Sequence, residues 1–241
     1  EDDKAAARRL NQLTGPFLLR RMKADVLKEL PPKTENIHRI ELEEEQRKLY
    51  LAAVVDAREK LRAAKPEDKM AVFAVLMRLR EICCDPRLVA DNWTGSSAKL
   101  EACLELVTEA VAGGHRILLF SQFTSMLELL AKRLDEAGVS HFTLQGSTPK
   151  PVRAEQVRRF NQGEADVFLI SLRAGGTGLN LTAADIVIHY DPWWNLAAQN
   201  QATDRAYRIG QRNPVQVYKL IAQDTIEEKI VELQQAKQDL A

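Results

Sequence analysis

Apolar residues recur with one period up to about residue 95 of this 241-residue chain and with two periods beyond it. In the first part helical spacing dominates. Ala5 to Leu13 is rich in Ala and Arg. Phe17-Leu18-Leu19-Arg20-Arg21-Met22-Lys23 runs on to Val26 and Leu27 before Pro31-Pro32 stops it. Ile37, Ile40 and Leu42 predict a short extended segment. From Glu43 to about Ala64, Leu49, Val54 and Leu61 recur at helical spacing until Lys65-Pro66-Glu67-Asp68 breaks the run. A second helix, Lys69 to Cys83, carries Val72, Val75, Leu76, Leu79 and Ile82. Asp91 to Ser97 reads as a loop. It divides a mostly helical region, residues 1–95, from a second region, residues 96–241.

The second region alternates helices with short β-rich runs. Helices are predicted over Leu100–Val111, Thr124–Ala137, Pro149–Phe160, Ala197–Tyr207 and Ile226–Leu240. Between them stand Ile117–Phe120, Phe142–Leu144, Val167–Ile170, Ile186–Ile188 and Val215–Tyr218. Runs that are apolar throughout predict strands buried on both faces, as in a parallel, doubly wound α/β sheet. Such sheets bind ligands beyond the carboxyl ends of their strands. The loops after Phe120, Leu144, Ile170 and Ile188 are therefore the places to look for chemistry.

Two of these loops carry a signal. Ser171 to Asn180 contains Gly175, Gly176 and Gly178, which let backbone N–H groups approach an anion, although a tight crossover turn would look the same. The loop is neither a Walker A sequence nor a full dinucleotide fingerprint, because no GxxxxGK follows and Leu181 stands where the third glycine is needed. Further on, Gln201, Arg205 and Arg208 fall in a row if the predicted helix continues through them. Arginine suits bidentate phosphate contact; a solvated basic helix end, with Asp204 as its structural partner, is the plainer alternative. Trp193 and Trp194 follow a strand end, so one is expected to pack inward and the other to face a partner.

Composition narrows the class without deciding it. Lys plus Arg and Asp plus Glu are 34 each, which argues against a uniformly basic nucleic-acid binder. The average hides an asymmetry: residues 141–219 hold nine Lys/Arg against six Asp/Glu, and residues 220–241 hold two against five. Cys83, Cys84 and Cys103 lack the spacing of a disulfide framework or a zinc site, so no metal is expected. No apolar run reaches the roughly 18 residues of a membrane helix. The polar start and the missing initiator Met read as a piece of a longer protein.

Gln201-Ala202-Thr203-Asp204-Arg205-Ala206-Tyr207-Arg208-Ile209-Gly210-Gln211 resembles motif VI of the Snf-type DNA translocases, a branch of the superfamily two helicases. Leu172 to Leu181 resembles their motif V and Ile117 to Phe123 their motif IV. Leu144 to Thr148, with Arg153 and Phe160, resembles motif IVa. Phe17 to Val26 resembles the end of the first lobe, and Leu79 to Pro86 the end of a helical insertion. Tyr207 and Leu196 depart from the His and Pro common in the family.

The resemblance implies a second RecA-like lobe: a parallel sheet flanked by helices and preceded by a helical insertion. It implies an ATP-driven translocase on double-stranded DNA that does not separate strands. Walker A and the acidic Mg²⁺ box are absent from this sequence, so ATP and Mg²⁺ would need the first lobe, and the chain alone is expected not to hydrolyse ATP. Carried over by position, Arg208 is the arginine finger and Arg205 a phosphate or positioning contact. Gln201, Gly178 and Asn180 lie near nucleotide. Arg173, Gly175, Gly176, Thr177, Gln122, Gly146, Ser147 and Trp194 contact DNA backbone or groove. Partners implied are duplex DNA, the first lobe of the same protein and a DNA-bound protein such as RNA polymerase, in a prokaryotic, nucleoid-associated cytoplasmic setting. Two alternatives stand beside this reading: a non-catalytic DNA- or protein-binding module of the same shape, and an ordinary α/β transferase using His189 or Asp185.

Overall fold

The computed structural model describes residues 30–63, 68–174 and 178–239. The expected segments at Ala5–Leu13 and Phe17–Val26 lie outside the described residues, as do Gly175, Gly176 and Thr177. In chain order the elements are β1 (Lys33–Ile40), α1 (Glu44–Ala63), α2 (Lys69–Cys84), α3 (Ala98–Ala112), β2 (Ile117–Ser121), α4 (Thr124–Glu136), β3 (His141–Leu144), α5 (Lys150–Asn161), β4 (Val167–Ser171), β5 (Ile186–His189), α6 (Leu196–Thr203), β6 (Val215–Ala222) and α7 (Ile226–Asp239). A 3₁₀ turn, Pro86–Leu88, follows α2.

The strands form one sheet in the order β1-β6-β5-β2-β4-β3, every adjacent pair parallel. β2, β4 and β5 are buried along their whole length, because helices cover both faces. The pleat divides their side chains between two cores. Ile117, Leu119, Val167, Leu169, Ile186 and Ile188 pack with Cys103 and Val107 of α3 and Met126, Leu130 and Leu134 of α4. Leu118, Phe120, Phe168, Ile170 and Val187 pack with Phe160 of α5 and Ala202 of α6. The expected α/β architecture, a parallel sheet covered by helices on both faces, is thus met.

A third apolar cluster seats the α1–α2 hairpin. Tyr50, Ala57, Leu79, Ile82 and Cys83 pack with Leu42 and Ala222, at the chain positions just after β1 and at the end of β6. Gln46 fastens α1 to both neighbours: its Nε2 donates to the Ile82 carbonyl at 2.9 Å, and its Oε1 accepts from the Ala98 N–H at 3.4 Å. The Asp85 carboxylate ends the helical run by accepting from the Arg87 N–H, Nε and Nη2 at 2.7–2.9 Å.

Two expectations need correction. The short extended segment at Ile37–Leu42 is an eight-residue strand that pairs along its whole length with β6, from Lys33↔Val215 to Ile40↔Ala222. As an edge strand it leaves seven of its eight side chains exposed, so Lys33, Thr34 and Glu35 carry no apolar pattern to announce it. The loop at Asp91–Ser97 therefore does not separate β1 from the sheet of the second region. The second correction concerns the helix expected to run to Tyr207, which ends at Thr203.

Candidate functional site

The carboxyl ends of β2, β4 and β5 lie side by side, with Ser121 paired to Ser171 and Phe120 to His189. Backbone bonds lock the loops that leave them. The Leu172 N–H donates to the Ser121 carbonyl at 3.0 Å, and the Tyr190 N–H to the Phe120 carbonyl at 2.9 Å. Asp191, fully buried, accepts from Ser121 Oγ at 2.5 Å and from the Gln122 N–H at 3.3 Å. These bonds and its Arg80 partner offset the burial that pushes its carboxyl pKa upward.

After Thr203 the chain leaves the α-helical path: the Arg205 and Ala206 N–H groups bond to carbonyls three residues back, those of Ala202 at 3.2 Å and Thr203 at 3.1 Å, and the next two carbonyls are claimed from elsewhere in the chain. The Arg205 carbonyl accepts from the Leu181 N–H at 3.0 Å. The Ala206 carbonyl accepts from Gln211 Nε2 at 3.1 Å; the same amide group also reaches the carbonyls of Thr182 at 3.3 Å and Ala184 at 2.7 Å. A continuing helix would have given those carbonyls to residues four positions on. The turn closes at Gly210, whose φ of +100° lies in the region open to glycine. Gln201 is thus on α6, while Arg205 and Arg208 stand in the turn beyond it. The row of three expected from one continuous helix is not formed.

The turn carries Arg205 inward and Arg208 outward. Arg205 is 5% exposed and its Nε has no hydrogen-bond partner among the described residues. Burial lowers its pKa, and the charges of Arg153 and Arg208 lower it further. Arg153, on α5, donates from Nη1 to the Ala174 carbonyl at 3.2 Å and also leaves its Nε unpartnered. Arg208, exposed, lies 3.5 Å from the Leu179 carbonyl. Three guanidiniums therefore gather around the two sides of the glycine-rich loop. Gly178 is exposed there at a φ of +74°, with open space where a Cβ would stand. Like charges held together at partial burial, with unused N–H groups, favour an oxyanion as their missing partner.

The other sequence-derived candidates fall into three groups. Arg173, Asn180, Gly146 and Ser147 are exposed; the last two sit in a turn fixed by the Gln145 N–H donating to Thr148 Oγ1 at 3.0 Å. The Asn180 carbonyl accepts from Asn161 Nδ2 at 2.8 Å. Gln122 is buried, with its N–H on Asp191 and its Nε2 3.9 Å from the Met77 sulfur, so its backbone donor is already engaged. Trp193 and Trp194 are both half-buried, instead of one in and one out. His189 is buried and stacked on Phe120, with its Nε2 2.9 Å from Thr203 Oγ1. Its pKa is depressed by burial to about 3. Asp185 sits at the opposite end of β5 against His115 and the Arg116 N–H. That pair offers no shared catalytic geometry for a transferase.

Sequence reasoning placed Arg153 in the motif IVa resemblance and Arg80 in the helical-insertion segment but assigned neither a contact in the site. Arg80 is fully buried in the apolar face of α2, between Leu79 and Ile82. A charge inside such a face is the signal that marks it in the sequence. Among the described residues no group of three or more His, Cys, Asp or Glu could hold a metal ion, and no helix is long and apolar enough to cross a membrane. A cleft of about 580 Å³ between α1 and α2, lined by Ala53, Asp56, Val75 and Arg78, shares no residue with the arginine turn.

Comparisons with known proteins bear on the family and the fold. The helicase conserved C-terminal domain matches residues 98–210, and the SNF2-related domain matches residues 1–88. The chain is 42% identical over 247 residues to the putative ATP-dependent helicase/translocase YwqA of Bacillus subtilis, covering 99% of this chain and 27% of that protein. It spans about a quarter of the length of such curated relatives. The Sulfolobus solfataricus SWI2/SNF2 ATPase core in complex with dsDNA superposes with a TM-score of 0.76 at 32% identity, over 97% of this chain and 50% of that one. The C-terminal domain of the Sulfolobus enzyme superposes with a TM-score of 0.73 at 29% identity, over 86% of each chain. With the two domains matched in order along the chain and a six-stranded parallel sheet shared with these structures, the chain belongs to the SNF2-related helicases and carries their RecA-like C-terminal domain.

Proposed function

We propose that this chain is the C-terminal motor lobe of an ATP-dependent translocase on double-stranded DNA. In this reading it supplies an arginine finger and backbone contacts to DNA, and it does not separate strands. One observation carries the reading: Arg205 is buried with a free Nε, flanked by Arg153 and Arg208, at the lip of the Gly178 loop. Such a cluster suits a phosphate chain better than a neutral ligand. In this reading Arg208, exposed at the end of the turn, would reach a nucleotide held by another lobe. There it would offset charge on the phosphoryl group as water attacks phosphorus and the bond to the leaving oxygen breaks. Arg205, through its carbonyl bond to Leu181, ties that turn to the glycine-rich loop, so a shift at the phosphates reaches Arg173 and its neighbours. The described residues hold no carboxylate cluster fit for Mg²⁺, and in this reading a first lobe would hold that ion.

The DNA side of the proposal rests on the exposed turn at Gly146-Ser147, on Arg173, and on Trp194, together with Gly175, Gly176 and Thr177 by position. The dsDNA complex of the Sulfolobus relative supports it. Contacts of this kind position a protein on the duplex and read no bases. The test is ATP turnover in a two-lobe protein containing this chain. Arg208→Ala should lower it about 1,000- to 100,000-fold, the range seen for arginine fingers. Turnover by the 241-residue chain alone that Arg208→Ala abolishes would overturn the proposal.

A further inference from the structure

Arg80 presents a problem that stability alone does not solve. A fully buried guanidinium is costly, and an apolar residue of similar volume would fill the space at least as well. What arginine adds is direction. Its Nη2 donates to the Pro192 carbonyl at 2.6 Å and lies 3.4 Å from Asp191 Oδ2. Its guanidinium carbon stands 5.5 Å from the centre of the Phe123 ring, 5.8 Å from that of Trp193 and 5.7 Å from that of Trp194. One planar group from α2 therefore touches the loop after β2 and, at four points, the loop after β5.

The backbone of that second loop is held from elsewhere. The Trp193 N–H donates to Gln199 Oε1 at 3.2 Å, and its carbonyl accepts from Gln234 Nε2. Helices α6 and α7 thus fix where the Trp193 backbone is, while the rings of both tryptophans meet Arg80. A flat cation at this distance from three rings favours particular ring orientations, which a spherical ammonium or an aliphatic chain would not.

We propose that Arg80 is a positioning residue: it sets the orientation of the Trp193-Trp194 pair and so links the α1–α2 hairpin to the DNA-facing edge of the sheet. The functional half rests on the reading of Trp194 as a DNA contact; the positioning half does not. A movement of the hairpin would turn the tryptophans, and occupation of the edge by DNA would load the hairpin.

The chain has three tryptophans, so Trp93→Phe leaves Trp193 and Trp194 as the reporters. In that background Arg80→Lys keeps a cation beside Asp191 but cannot span the Pro192 carbonyl and the rings together. Acrylamide quenching of tryptophan emission should rise. Affinity for a fluorescein-labelled duplex should fall about fivefold, the loss expected from one disturbed stacking contact. In a Trp194→Ala background the same substitution should leave duplex affinity unchanged. Arg80→Gln with Asp191→Asn removes both charges together and serves as the second variant, with circular dichroism checking the fold of each.

A folded variant with unchanged quenching overturns the proposal. Failure of both variants to fold, with Trp194→Ala stable, also overturns it by reducing Arg80 to a structural part. If quenching rises but Trp194→Ala alone leaves duplex affinity intact, Arg80 still positions the pair and the assignment of Trp194 to DNA falls.

Discussion

Lys99 and Glu227 form an ion pair in which neither side chain is exposed, and Lys99→Met tests what it contributes. The lysine Nζ also lies 5.5 Å from the centre of the Tyr190 ring. The glutamate accepts from the Ala222 N–H at 2.8 Å through the oxygen that meets Lys99, and its other oxygen has no partner. Removing the lysine leaves a buried carboxylate with one N–H donor. A broken buried pair of this kind costs about 3–5 kcal/mol. For a domain of this size the melting temperature should fall roughly 6–20 °C, at about 2–4 °C per kcal/mol.

The deficit should depend on pH in a definite direction. Burial already raises the Glu227 pKa, and Lys99 is the strongest influence holding it down. Without Lys99 the folded-state pKa rises further above its unfolded value. The corresponding stability is present below the ordinary carboxylate range and is lost as pH rises through the folded value. The variant should therefore lie closest to wild type near pH 5 and furthest from it near pH 8. Lys99→Met with Glu227→Gln, which keeps an acceptor for the Ala222 N–H, should recover most of the loss. Urea unfolding at the two pH values measures all of this. A single-variant cost below about 1 kcal/mol, or one that does not change with pH, would refute the argument from an uncompensated buried charge.

Two further outcomes follow from the same kind of reasoning. His189 is held neutral with a pKa of about 3, so the protein should lose about 1.6 kcal/mol between pH 6.5 and pH 5 as the unfolded chain takes up the proton the folded one refuses. A His189→Gln variant should flatten that slope in chemical-denaturation curves, and an unchanged slope would assign the acid sensitivity elsewhere. Gln211→Ala frees the carbonyls of Thr182, Ala184 and Ala206 at once and should cost about 1–3 kcal/mol. In a two-lobe protein it should also lower ATP turnover more than binding, because it loosens the turn that presents Arg208; equal loss in both would argue against that role for the turn.

The parts of the fold that were plain in the sequence are those where burial is complete. Ile117–Phe120 and Val167–Ile170 are apolar at every position because both faces of those strands are covered, and their bounds came out within a residue. β1 was half hidden, since an exposed edge strand needs no apolar alternation. The end of α6 was misjudged because the residue pattern of 197–207 continues through the turn that follows it, where the Arg205 and Ala206 N–H groups bond three residues back and Leu181 and Gln211 take the next two carbonyls. The arginines were legible as residue types suited to phosphate. Their convergence with Arg153, some fifty residues earlier in the chain, was not, because it follows from where α5 crosses the sheet. Arg80 shows the converse case, a charge in an apolar stripe whose partners Asp191 and Pro192 are more than a hundred residues away.

The pairing of β1 with β6 has a consequence for how the chain is made. The two strands are about 180 residues apart in sequence, so the sheet cannot close until the residues between them have left the ribosome. Until then β1 is an unclaimed ribbon of backbone donors and acceptors waiting for its partner strand. Its lysine, arginine and glutamate side chains now look less like surface filler than like insurance against pairing with the wrong neighbour during that wait.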